Sequence, residues 1–153
     1  MVVRIYRISP IGICLLAVFW LMMAGLAGCT VKLISDYDET TDRTVSALQR
    51  KTESHLVALE NVENSPDCEY DRHKQFYDEA KIDVSAITVR AAAIPKNDIT
   101  TKEAHLLLSS LENLEKLHKI SCLSKDQIAL LRAHFNTSYT AILKLELAKR
   151  RGQ

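Results

Sequence analysis

"TTKEAHLLLSSLENLEKLHKISCLSKDQIALLRAHF", residues 100–135, decides the fold. Apolar residues recur in it at intervals of three and four: Ala104, Leu107, Leu108, Leu111, Leu114 and Leu117, then, after a short break, Ile128, Leu131 and Phe135. That spacing is the period of an α-helix with one buried face, not the alternation of a half-buried strand. Start signals frame both runs. Thr100-x-x-Glu103 and Ser124-x-x-Gln127 read as capping boxes, in which a side-chain oxygen takes an otherwise orphaned N–H at a helix start. Leu123 and Ile128 flank the second box as a hydrophobic staple. Two helices are expected, one over 101–120 and one running to about Lys149, the latter carrying Ile142 and Leu145 on the same face.

Upstream the pattern repeats. Over 36–63, Tyr37, Val45, Leu48, Leu56, Leu59 and Val62 form a stripe, with Thr41 and Thr52 in phase. Ser35 or Asp36 would cap this helix, and Asp38 and Glu39 suit the positive end of its dipole. Asn64-Ser65-Pro66 ends it and starts the next, with Ser65 as N-cap and Pro66 at the first helical position. His73, Phe76, Tyr77, Ala80, Val84, Ile87 and Ala91 share a face of that second helix, and Pro95 closes it. Its β-branched stretch, Ile82, Val84, Ile87 and Val89, is weak helix former and leaves a strand over 82–89 as the rival reading. Downstream of residue 28 there are only one Gly and two Pro, so turn formers are scarce. The expected fold is all-α, an up-down-up-down four-helix bundle over 36–149 with a basic tail over 150–153.

The cysteines bear on that topology. Of four, Cys68 falls at the start of the second helix and Cys122 in the link between the third and fourth. In an up-down bundle those two places lie at one end, so a disulfide is expected, with two buried free thiols as the alternative. Closing a loop of this size would stabilise the fold by about 4 kcal/mol in the chain-entropy picture. No C-x-x-C pair, haem-attachment motif or zinc-type spacing is present.

The N-terminus sets the location. Arg4 and Arg7 are the only charges before Lys32, and 8–31 carries none. As a helix that run would span about 36 Å, enough to cross a bilayer. Its end argues for removal instead. Leu26-Ala27-Gly28-Cys29, an aliphatic residue and two small ones before a Cys, resembles the lipobox of bacterial lipoproteins, behind a short basic head and an apolar core. The resemblance implies a signal peptide over 1–28, acylation of Cys29 as the first mature residue, and a short tether over 29–35. It implies anchoring in the lipid bilayer without a spanning helix, since two or more acyl chains hold a protein stably. Thr30, where Asp often retains such proteins in the inner membrane, favours the periplasmic face of the outer membrane. The stretch 34–49 is also similar to one in small bacterial lipoproteins, a likeness that implies no particular activity.

Cleavage would take Lys and Arg from 20 to 18 against 19 Asp and Glu, a net charge of about −1. That balance offers nothing to nucleic acid. Asp36, Asp38, Glu39 and Asp42 cluster, but the Gly and distant Glu of a calcium loop are missing, so solvated carboxylates at a helix start are expected. His55, His73 and His134 fall at comparable heights in the bundle, and Glu115-x-x-His118 matches half of a di-iron motif without its second half. No metal or other cofactor is expected. No nucleophile motif such as G-x-S-x-G occurs, and no enzyme activity is expected. Lys149, Arg150 and Arg151, with Lys144, make the C-terminus basic, suited either to solvent or to anionic headgroups. The sequence thus points to an envelope lipoprotein whose helical domain serves interaction with another envelope protein or structural support, the alternative being a periplasmic ligand- or metal-binding module.

Overall fold

The computed structural model describes residues 33–152; the expected signal segment, Cys29 and the part of the expected tether before residue 33 lie outside the described residues, as does Gln153. Four α-helices follow one another: α1 (Glu39–Asn61), α2 (Tyr70–Ala93), α3 (Asp98–Ile120) and α4 (Lys125–Arg151), with a 3-10 turn at Pro66–Cys68 before α2. Each helix packs on its neighbours in sequence, and α4 closes the ring against α1. Contacts along the seam of α4 with α1 show the antiparallel sense, since Lys125, Arg132 and Glu146 meet Glu63, Glu60 and Asp38 in reverse order. Lys51 of α1 meets Asp83 of α2 at 2.6 Å, and Arg132 of α4 meets Glu53 and Glu60 of α1 at 2.8 and 2.9 Å. The fold is an up-down-up-down bundle, and no strand occurs among the described residues.

The expected stripes supply the interior. Val45, Leu48, Leu56 and Leu59 of α1, Tyr77, Ala80, Val84 and Ile87 of α2, Ala104, Leu107, Leu111 and Leu114 of α3, and Ile128, Phe135 and Ile142 of α4 form one buried cluster. Thr41 and Thr52 are buried in phase with them, Thr52 hydrogen-bonding the Tyr139 hydroxyl at 2.6 Å. The β-branched stretch of α2 stays helical. Val84 and Ile87 face inward, whereas Ile82 and Val89 face out at 68 % and 67 % exposure. Burial of one face holds the helix despite low local propensity.

Several boundaries differ from expectation, each for a visible reason. α1 starts at Glu39 because Asp38 is the N-cap, its carboxylate accepting from the Thr41 N–H at 3.1 Å; Ser35 is instead tied to the loop after α2, and Tyr37 is half-buried ahead of the helix. Asn64, at φ 65°, adopts the left-handed conformation Asn tolerates and turns the chain. Ser65 and Pro66 cap and open a 3-10 turn rather than α2, and Glu69 is extended between the two, which brings Cys68 inward. The Thr100 capping box does not form. α3 begins earlier, at Asp98, and the Thr100 hydroxyl lies inside it facing Glu146. The Ser124–Gln127 box does form, with both reciprocal bonds, and Leu123 and Ile128 beside it are buried. α4 continues through Arg151, so Arg150 and Arg151 are helical rather than a tail. Leu117, expected inside, is 43 % exposed, its place in the core phase being taken by His118.

Candidate functional site

Two polar clusters lie inside the bundle, one toward each end. The first is built on imidazoles. His55 of α1 stacks on Phe76 of α2 with ring centroids 3.7 Å apart and lies 5.3 Å from His73. His118 of α3 lies 5.5 Å from His73 and 6.3 Å from His55. His55 and His73 therefore meet as their heights suggested. His134 does not join them: it sits on the outside of the α3–α4 seam, 2.9 Å from the Ser110 hydroxyl, and His118 takes the third place.

The bonding around His118 fixes its tautomer. Its Nε2 lies 2.6 Å from the Cys68 carbonyl oxygen, which can only accept, so Nε2 carries a hydrogen. In the neutral ring Nδ1 is then bare and accepts from the Tyr77 hydroxyl at 2.7 Å. The Tyr77 oxygen in turn lies 3.4 Å from His55 Nε2. A chain of polar contacts thus crosses three helices, from α1 through α2 to α3, and ends on the backbone of Cys68. Burial, reinforced by the neighbouring imidazoles His73 and His118, lowers the pKa of His55 to about 3. Burial likewise lowers that of His118, against the opposing pull of the Cys68 carbonyl. Both rings are neutral at neutral pH. Burial raises the Tyr77 hydroxyl far above its ordinary value, so it stays protonated.

Cys68 and Cys122 lie at disulfide distance just beyond, with Cα atoms 5.4 Å apart. Beside them the di-iron half-motif comes apart. Glu115 accepts from Tyr70 at 2.8 Å and pairs with Lys81 at 3.0 Å and Lys119 at 2.9 Å. Burial opposes its charge, but those bonds, Lys119 first, hold its pKa down to about 2. Among the described residues no group of three or more His, Cys, Asp or Glu is arranged to hold a metal ion. The Ser110–His134 contact is also not a poised nucleophile. The Ser110 hydroxyl donates to the Leu106 carbonyl at 2.9 Å, so its proton is engaged there and His134 serves as donor to it.

The second cluster closes the other end, where the described chain enters. Glu146 and Lys149 of α4, at 0 % and 6 % exposure, form an ion pair at 2.5 Å. Lys149 also donates to Asn97 and Thr100 at 2.5 and 2.9 Å. The second Glu146 oxygen accepts the Asp38 N–H at 3.1 Å, and Ser35 donates its hydroxyl to Asn97 at 3.0 Å. Arg90 of α2 forks onto both oxygens of Asp38 and holds that carboxyl well below its usual pKa. These bonds tie the entering chain, the α2–α3 loop and the end of α4 into one block. Lys149, read as a cation for solvent or for anionic headgroups, is instead buried and spent on Glu146. Of the three basic residues singled out there, only Arg150 and Arg151 are exposed, with the Arg150 guanidinium 5.6 Å from the Tyr37 ring centroid.

Sequence reading passed over Glu146, and took His118 only as half of a di-iron motif and Lys149 only as part of a basic C-terminus, yet the signal for their burial was available. Leu107, Leu111, Leu114 and His118 continue one three-four spacing, as do Phe135, Tyr139, Ile142, Glu146 and Lys149. Polar residues in core phase are the mark of a buried network, and apolar counting skips them. No family model matches this chain, and neither a curated protein nor a solved structure does.

Proposed function

We propose that this chain is a bacterial envelope lipoprotein, acylated at Cys29 after removal of 1–28, whose four-helix domain acts in interaction with another envelope protein or in structural support rather than in catalysis. The observation that carries the reading is Leu26-Ala27-Gly28-Cys29 at the end of an uncharged run behind two Arg. Thr30 places it by preference on the periplasmic face of the outer membrane. The domain's chemistry is consistent with this. Its buried side-chain nitrogen and oxygen atoms among the described residues all have hydrogen-bond partners inside the protein, so the clusters serve to hold the bundle together. No helix among the described residues is long and apolar enough to cross a membrane.

Palmitate labelling of the full chain tests the reading. The parent should incorporate label and lose the first 28 residues, and Cys29→Ala should remain an unlabelled precursor. A Cys29→Ala chain that matures to the parent's polypeptide length would overturn it. Metal analysis of the purified protein tests the alternative, because stoichiometric metal would make the histidine cluster a binding site instead.

A further inference from the structure

We propose that the entry end of the bundle, with Leu33, Ile34 and Ile99 foremost, rests on the lipid surface that holds the Cys29 acyl chains. The proposal builds on the lipoprotein reading and adds how the domain stands. Leu33, Ile34 and Ile99 are 83 %, 45 % and 58 % exposed, three large aliphatic side chains gathered at one end of the bundle, whereas others such as Ile82, Ile120 and Leu130 are exposed along its flanks or toward the far end. Ile34 and Ile99, 65 positions apart in the numbering, line one cleft of about 50 Å³ together with Leu145 and Ala148. That space is too small for anything beyond a water-sized guest, so the feature is a surface and not a ligand pocket.

The length of chain outside the described residues names the occupant. Leu33 lies four residues from Cys29, a reach of at most about 14 Å even fully extended. There is no slack at the near side either. Ser35 is pinned by its N–H to the Lys96 carbonyl at 3.1 Å and by its hydroxyl to Asn97. Lys149 and Glu146 lock Asn97 and Thr100 beneath it. An acylated Cys29 would therefore hold this end, and no other, within reach of the headgroups. Charge is permissive: Arg150 and Arg151 are exposed here, partly offset by Asp98, while Asp38 and Glu39 are paired with Arg90 and Arg43. The apolar side chains supply the contact, by leaving water for the interfacial layer of the bilayer.

The chain lends itself to a direct test, because its one Trp, Trp20, falls in the segment expected to be removed. Ile99→Trp, Ile82→Trp and Ile120→Trp each place a single Trp at an exposed site: the entry end, the middle of α2 and the disulfide end. The matured full-length lipoprotein is reconstituted into phosphatidylethanolamine–phosphatidylglycerol vesicles with brominated acyl chains. Tryptophan at 99 should emit to the blue and lose several-fold more fluorescence to bromine than tryptophan at 82 or 120. Equal quenching at all three sites, or none at 99 in a protein whose mass shows cleavage and acylation at Cys29, overturns the proposal and leaves the lipoprotein reading intact. A mass without cleavage or acyl chains overturns both. Circular dichroism on each variant confirms that the bundle has formed.

Discussion

At the scale of single residues, the buried ion pair and the imidazole cluster carry the sharpest consequences. Glu146 and Lys149 stabilise each other in a site with almost no solvent. Removing one partner strands the other charge, so Glu146→Ala should cost about 3–5 kcal/mol in urea unfolding of residues 30–153. Replacing both with apolar residues of similar volume, Glu146→Leu with Lys149→Met, should recover only part of that loss: the desolvation of two ions disappears together, but the Asp38 N–H, Asn97 and Thr100 lose their partners. The histidines predict a pH dependence. His55 holds a pKa of about 3 when folded and its ordinary 6.5 when unfolded, chiefly through burial, so between those values the unfolded chain binds the extra proton. Stability is then full above pH 6.5 and falls as pH drops, by about 1.4 kcal/mol per pH unit for this group alone. His118, also lowered by burial, adds in the same direction. Unfolding midpoints measured from pH 7.5 to 5 should slope downward toward acid, and His55→Gln should flatten that slope. A parent whose stability is level across the range would show that these rings are not buried as described.

At the scale of elements, local signals and long-range contacts divide what the sequence made legible. Ser124 capping is local, requiring only Gln127 three residues on, and both bonds form. Ser124→Ala should therefore cost about 0.5–2 kcal/mol, read from the thermal or urea midpoint. Thr100 has the same pattern in the sequence, but its hydroxyl is spent on Glu146, 46 positions away, and a three-residue motif carries no trace of that competition. Thr100→Ala should accordingly behave as the loss of a buried contact rather than of a cap. The positions of α2 follow the same division. Its β-branched residues spoke against helix locally, yet Val84 and Ile87 fall in the core phase and burial decides. Val84→Ala should cost more than Val89→Ala, because the first opens a cavity and the second trims a side chain already in solvent. Histidine placement was legible only in part: height along the bundle brought His55 to His73, but rotation about the helix axis set His118 inward and His134 outward.

At the scale of the whole molecule, the pairing of the cysteines and the up-down order support each other. The start of α2 and the link after α3 meet only if neighbouring helices run antiparallel, and Cys68 and Cys122 sit at those two points, 54 positions apart. The polar chain from His55 through Tyr77 and His118 ends on the carbonyl of Cys68, so the cross-link and the core cluster stiffen the same end. A disulfide there would act mainly by restricting the unfolded chain, and Cys68→Ser should lower stability by about 2–5 kcal/mol. The Cys68→Ser, Cys122→Ser double variant should be no worse than the single, because the second thiol has lost its only partner once the first is gone. Tyr77→Phe, by contrast, should cost about 1–3 kcal/mol whether or not the cross-link is present, since it leaves the buried Nδ1 of His118 without a donor. Mass spectrometry of the unreduced protein should find the peptides around Cys68 and Cys122 joined. If both thiols alkylate freely in the native protein, the cross-link is absent: Cys68→Ser should then cost little, while Tyr77→Phe should keep its cost and be the more damaging of the two changes.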